Sequence, residues 1–401
     1  MPIQKPAAVL SDAKSSQAIS SGVWYPGLDG VRGIAVGLVF LVHYLRRFGH
    51  IGWMGVLIFF VLSGFLITGV LYDSRCETHR FRNFYVRRTL RIFPLFYFVW
   101  LLVLIGAFFL QEQWRPLLAL WPVYLGNYAR FIAGSATVDH IYTRIPWFPI
   151  EIGHFWSLAV EEQFYILWPL VVFSVGSRKA LIRICAAAMA GVLLLRLGLV
   201  PFVPRSFLEM EFFYRMTFTQ ADAFLFGGML ALMLRGDRKA AVLRLGPPLF
   251  WGGLLILALA CWFNGPGPQL SMVVPATPWM SGYGFTLVDL VAGGMILSAL
   301  RGGNLLFRIL TLAPLRVLGR YSYGFYVYHV LLMPLISVHW LDAPSTAMLA
   351  VHVIADFSII LAVSAASYHL LEMPFLRMKG RFTVPGHHLP PPAAKPTAPS
   401  Q

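Results

Sequence analysis

The sequence predicts an all-α fold, a polytopic membrane helix bundle with about ten transmembrane helices and one short re-entrant or interfacial segment. Composition points there first. Of 401 residues, 58% are hydrophobic and only 12% charged, and the mean hydropathy is +0.69, far from the balance of a soluble domain. Length points the same way, because the apolar runs reach the roughly 20 residues a helix needs to cross the hydrocarbon core. Charge completes the case: arginines cluster in the gaps between runs, where the positive-inside rule puts them.

The runs lie near 30–48, 52–72, 92–111, 155–175, 181–200, 213–234, 248–264, 283–300, 321–340 and 346–371. A further run, 117–132, is shorter and interrupted by Pro122 and Asn127. Its topology follows from charge. Arg75, Arg80, Arg82, Arg87, Arg88 and Arg91 make the loop after the second run cytoplasmic, with the N-terminus on the same side. Later clusters around Arg178, Arg235, Arg308 and Arg377 all lie inside if 117–132 does not cross, and all outside if it does. The run is therefore expected to be re-entrant or interfacial, with both termini cytoplasmic. Arg46 and Arg47 are the one exception on the outer side.

Domain organisation is simple. Residues 1–23 are expected to be a disordered cytoplasmic N-terminus without a secretory signal. Residues 24–378 form the membrane domain, and 379–401 a disordered tail rich in proline and alanine. The outer loops include 133–154 and 265–282, and no transporter-like repeat is visible.

Several function classes drop out. The formal charge of +15 sits between apolar segments, which points away from nucleic acid and toward membrane topology. Cys76, Cys185 and Cys261 are too few and too scattered for a disulfide framework or a zinc site. No HExxH, paired CxxC or glycine-rich phosphate loop occurs, so no metal is expected.

Polar residues inside apolar runs mark the candidate site, since ionisable groups at membrane depth are costly and face protein or a wet cavity. Arg32 and His43 are eleven residues apart in the first run. They share a helical face with about 16 Å between them. His43 is the natural proton-transfer group near neutral pH. Asp29, just ahead of the run, serves equally well as an N-cap or a catalytic group. In HFWSLAVEEQFYILWP, the adjacent Glu161 and Glu162 point about 100° apart, so one of them at most faces a given neighbour. Arg88 and Arg91, three residues apart with Arg87 beside them, suit a phosphate-bearing donor or anionic headgroups equally. Asp222, Asp289, His329 and the pair His352 and Asp356 are weaker signals, and the aromatic SYGFYVYH run reads as helix packing.

Taken together, LDGVRGIA with His43 following, IFFVLSGFLITGVL, FYVRRTLRIFP, HFWSLAVEEQFYILWP and GRYSYGFYVYH resemble the acyltransferase-3 family of membrane O-acyltransferases. The motifs run in family order over nearly the whole chain. The resemblance implies transfer of an acyl group, commonly acetyl, from cytoplasmic acyl-coenzyme A to a hydroxyl of a sugar, lipid-linked glycan or small molecule such as a macrolide. It implies a multi-pass protein of the bacterial inner membrane. By position, His43 is implied as the catalytic residue with Arg32 as its motif partner, Arg88 and Arg91 as groups near the coenzyme, and Glu161 with Gln163 to Tyr165 as the Glu-x-Gln-Phe-Tyr motif. Gln220 departs from the pattern, where relatives often carry arginine, which leaves Asp222 without an assigned role. Some relatives append an extracytoplasmic esterase-like domain; with none here, the chain is expected to act alone or with a separate partner.

The expected mechanism has the donor's phosphates on Arg88 and Arg91 and its thioester directed toward His43. His43 is a general base with its charge supported by Glu161, or is itself acylated, while Arg32 positions the donor. The competing reading is a proton-coupled transporter using His43, Glu161 and Asp222 as a relay.

Overall fold

The computed structural model describes residues 25–45, 51–109, 115–133, 152–203, 212–264, 277–336 and 346–382. The expected N-terminal arm, Arg46 and Arg47, most of the two outer loops and the chain after 382 lie outside the described residues. A helix stands where each of the ten runs was expected. These are α1 (Pro26–Tyr44), α2 (Met54–Asp73), α3 (Arg80–Phe109), α4 (Trp156–Ser174) and α5 (Arg178–Leu199), then α6 (Thr217–Met233), α7 (Gly246–Asn264), α8 (Phe285–Arg301), α9 (Ser322–Ile336) and α10 (Thr346–Ser367). No strand occurs among the described residues.

Among the described residues, seven helices are long and apolar enough to cross a membrane. The others are α4, α6 and α9. With 17 and 15 residues, α6 and α9 are short, and α4 carries Glu161, Glu162 and Gln163 near its middle. All three turn much of their surface to neighbouring helices. A helix surrounded by protein need not be uniformly apolar.

Three local expectations change. Helix α1 begins at Pro26, whose fixed φ suits the first helical turn, so Asp29 falls inside that turn and makes no side-chain cap. The third run extends as helix back to Arg80, which puts Arg88 and Arg91 on α3 itself. After α10 the chain continues through a π-turn, Tyr368–Glu372, a short helix, Met373–Met378, and a 3₁₀ turn, Lys379–Phe382. Helical structure thus runs past the expected boundary at 378.

The 117–132 run forms no spanning helix. It consists of 3₁₀ turns at Arg115–Leu120 and Gly126–Tyr128 and the short helix Ala129–Ala133. Tyr97 and Trp100 of α3 hold it, donating to the carbonyls of Pro122 (2.8 Å) and Leu118 (3.0 Å). Those bonds satisfy backbone groups that an irregular segment leaves open.

Glycines set the closest approach. A Cβ on Gly64 of α2 would lie 1.9 Å from the Phe224 carbonyl oxygen, and one on Gly227 of α6 would lie 1.9 Å from that of Val61. The two backbones therefore touch, as small residues permit between membrane helices.

Candidate active site

A cavity of about 610 Å³ opens among α1, α2, α3, α4 and α9, with Arg32, Arg88, Arg91, Glu161, Tyr165 and Tyr326 in its wall. Each of these comes from a motif picked out in the sequence, so tertiary packing brings four separate segments to one place. Arg32 is anchored within its own helix by Asp29 at 2.7 Å. Arg88 lies over the Tyr165 ring at 3.8 Å from its centroid, a cation–π contact that orients the guanidinium. The Tyr165 hydroxyl in turn bonds Ser63 of α2.

Glu161 lies one helical turn before Tyr165 and shares its face. Its carboxyl sits in the field of Arg88 and Arg91, within bonding reach of Tyr165 and Ser63. Glu162 is buried, also in the field of Arg88, with Oε1 unpartnered. Gln163 acts as a brace. Its amide donates to the Tyr124 carbonyl (2.7 Å) and Asn127 Oδ1 (2.9 Å), and its oxygen accepts from Thr217. It pins the irregular 115–133 segment to α4 and α6.

The cavity mouth is basic, with Arg87, Arg235 and Lys379 added to the wall. Arg235 is committed to Asp73 at 2.7 Å. Lys379 enters the wall from the turn Lys379–Phe382.

His43 is not part of this wall. Its Nδ1 contacts the Val39 carbonyl at 2.9 Å. A carbonyl only accepts, so Nδ1 carries the proton and Nε2 keeps a lone pair. The side chains nearest in kind are other imidazoles: His329 of α9 packs edge-on with ring centroids 4.9 Å away, and His154 lies 5.2 Å from His329. The same reasoning fixes both. His329 Nδ1 bonds the Tyr326 carbonyl (2.6 Å), His154 Nε2 bonds that of Val327 (3.1 Å), and the remaining nitrogen of each is buried without a partner. His43 thus belongs to a three-imidazole cluster rich in lone pairs. Among the described residues, no group of three metal-ligating side chains is placed to hold a metal ion.

Between cavity and cluster stand Ser157 and Tyr326, which bond each other and both line the cavity. The Tyr326 hydroxyl donates to the His154 carbonyl at 2.7 Å, and its ring packs 5.5 Å from both His154 and His329. The expected pairing of Glu161 with His43 is therefore replaced: Glu161 accompanies Arg88, and His43 accompanies histidines. The cause is axial register on α4, where Ser157 sits one turn beyond Glu161 on the same face and separates it from the cluster. Sequence reading missed His154 and rated His329 weakly, although each stands at one end of a quoted motif. The SYGFYVYH run does pack helices, with Tyr323 donating to the Ile92 carbonyl at 2.7 Å and Tyr328 to Ser367 at 3.1 Å.

Asp222 has a different partner from any expected. Arg196 of α5 grips both its oxygens, at 3.0 and 2.6 Å, and also bonds Thr286, the Thr219 carbonyl and the Gly282 carbonyl. Arg196 is 0% exposed. Asp222 is thus a fixed link among α5, α6 and α8 and is not joined to His43 or Glu161, which removes the relay on which a transporter reading depended. Gln220 donates to the Phe213 carbonyl at 3.0 Å.

The chain is similar in sequence to several known proteins. The O-acetyltransferase OatA of Staphylococcus aureus (strain NCTC 8325 / PS 47) is 26% identical over 384 residues, covering 92% of this chain and 60% of its own. The OatA of strain COL matches equally. A second protein of strain COL, provisionally named an O-acetyltransferase, is 25% identical over 366 residues, covering 88% of this chain and 57% of its own. The chain spans about three-fifths of the length of these relatives. No solved structure matches it. The family model described as an acyltransferase domain matches residues 25–369, a region that contains α1 to α10 and every cavity residue described above except Lys379, and the chain belongs to the acyltransferase-3 family.

Proposed function

We propose that the protein is a membrane-embedded O-acyltransferase that moves an acyl group, taken here as acetyl, from cytoplasmic acyl-coenzyme A to a hydroxyl of a carbohydrate or carbohydrate-bearing acceptor. One observation carries the reading: a cavity runs from a mainly basic mouth to a two-residue ceiling, directly against the imidazole cluster that contains His43. The names of the relatives support O-acetyl transfer, and the positive-inside rule supports a cytoplasmic mouth.

In this mechanism the donor's phosphates rest on Arg88 and Arg91, which offer forked donors. Arg32, braced by Asp29, positions the arm that carries the thioester. Glu161 holds Arg88 in place jointly with Tyr165. Ser157 and Tyr326 part to admit the thioester to His43. The Nε2 lone pair of His43 then removes the proton of the acceptor hydroxyl while that oxygen attacks the thioester carbonyl. The C–S bond breaks, and the coenzyme A thiolate leaves with the proton from His43, which restores the resting tautomer. A histidine whose other nitrogen is tied to a carbonyl is oriented for this work as in other acid–base sites.

The test is transfer of labelled acetyl from acetyl-coenzyme A in membranes carrying wild type or His43→Gln, with glycan and small-molecule extracts as acceptors. A loss of about 10²–10⁴-fold is expected for a general base, with coenzyme A binding retained. Wild-type labelling by the variant overturns the role of His43.

A further inference from the structure

We propose that the turn after the last spanning helix belongs to the donor site, where Lys379 completes with Arg87, Arg88 and Arg91 a four-cation seat for the phosphate groups of a coenzyme A-type donor. This deepens the function proposed above and rests on it. Lys379 lies beyond the matched family region, which ends at 369, so family membership assigns it nothing.

Chain geometry delivers the residue. Past the π-turn at Tyr368–Glu372, Pro374 helps start the short helix Met373–Met378, and that helix and the turn Lys379–Phe382 both pack on α3. The ammonium thereby enters the wall of the cavity that already holds Arg87, Arg88 and Arg91. Among the described residues none of these four makes an ion pair, and Arg88 Nε is buried without a partner. Glu161 and Glu162 lie in the field of Arg88, while the charged groups around Lys379 are Arg87, Arg88 and Arg91 from α3 and Glu372 from its own segment. Three like charges against one carboxylate, partly out of water, favour a bound anion at this end of the cavity.

The experiment measures binding of coenzyme A, of inorganic pyrophosphate and of phosphate-free pantetheine to the full chain. Lipid headgroups offer the same phosphate chemistry, so the protein is held in nanodiscs of neutral phosphatidylcholine, with a second set containing phosphatidylglycerol. Expected for Lys379→Met is at least tenfold weaker binding of coenzyme A and pyrophosphate with pantetheine unchanged, and for Lys379→Arg near-wild-type affinity. Equal coenzyme A binding by wild type and Lys379→Met overturns the inference, as does an effect confined to phosphatidylglycerol discs or a matching loss of pantetheine. Wild type that binds pyrophosphate through Lys379 but not coenzyme A keeps the anion seat and removes the donor from the proposed function.

Discussion

Removing Asp222 tests whether the buried ion pair holds helices or moves protons. Arg196 makes five hydrogen bonds, of which two go to Asp222 and three to Gly282, Thr219 and Thr286. Asp222→Leu leaves those three but strands a guanidinium that is 0% exposed. Breaking a buried pair on one side costs about 3–5 kcal/mol, and the remaining carbonyl contacts put this case at the lower end, near 3 kcal/mol. Replacing both partners, as Arg196→Met with Asp222→Leu, removes the stranded charge and recovers most of that loss. Asp289 stands close to the pair with Oδ1 unpartnered, so adding Asp289→Asn to the single variant deepens the loss by removing the nearest substitute counter-ion. Thermal unfolding in detergent reads the stability, and acetyl transfer per folded molecule reads function. A single variant with wild-type unfolding but no transfer would refute the structural assignment and return Asp222 to the chemistry.

Other expectations concern packing and the path to His43. His329→Asn keeps a donor where Nδ1 meets the Tyr326 carbonyl but deletes the Nε2 lone pair; it should lower the transfer rate about 10–100-fold, toward the low end of proton-transfer effects, with donor KM unchanged, and an unaltered rate would remove the cluster from catalysis. Gly227→Val drives a methyl into the Val61 carbonyl oxygen, so the yield of folded protein should collapse, whereas Gly191→Ala, with open space around it, should leave it unchanged. Combining Ser157→Ala with Tyr326→Phe removes the hydrogen bond that closes the cavity, and release of acetate from the donor without acceptor should rise. A stricter dependence on acceptor would contradict the ceiling role.

The class, the ten helical runs and the charged residues Arg32, Arg88, Arg91 and Glu161 can be picked out in the residues alone, whereas Asp73, Glu77 and Lys379 in the same cavity wall cannot. Hydropathy is a local property, so each run can be read by itself, and Pro122 and Asn127 correctly mark 117–132 as a segment that does not form a spanning helix. Motif content groups Arg32, Arg88, Arg91 and Glu161 because each interrupts apolar sequence at a recognisable spacing. Their partners are another matter. Glu161 is expected beside His43, yet the axial register of α4 against α9 inserts Ser157 and Tyr326 between them and seats Glu161 with Arg88. His154 and His329 reach His43 only through contacts between segments more than a hundred residues apart. Asp222 finds Arg196 on the neighbouring α5, and Lys379 joins the basic mouth through a turn expected to be tail. A sequence states which residues are costly to bury; which of them meet is decided by how rigid helices pack, because helix crossing and register are set by the whole interface rather than by any one residue.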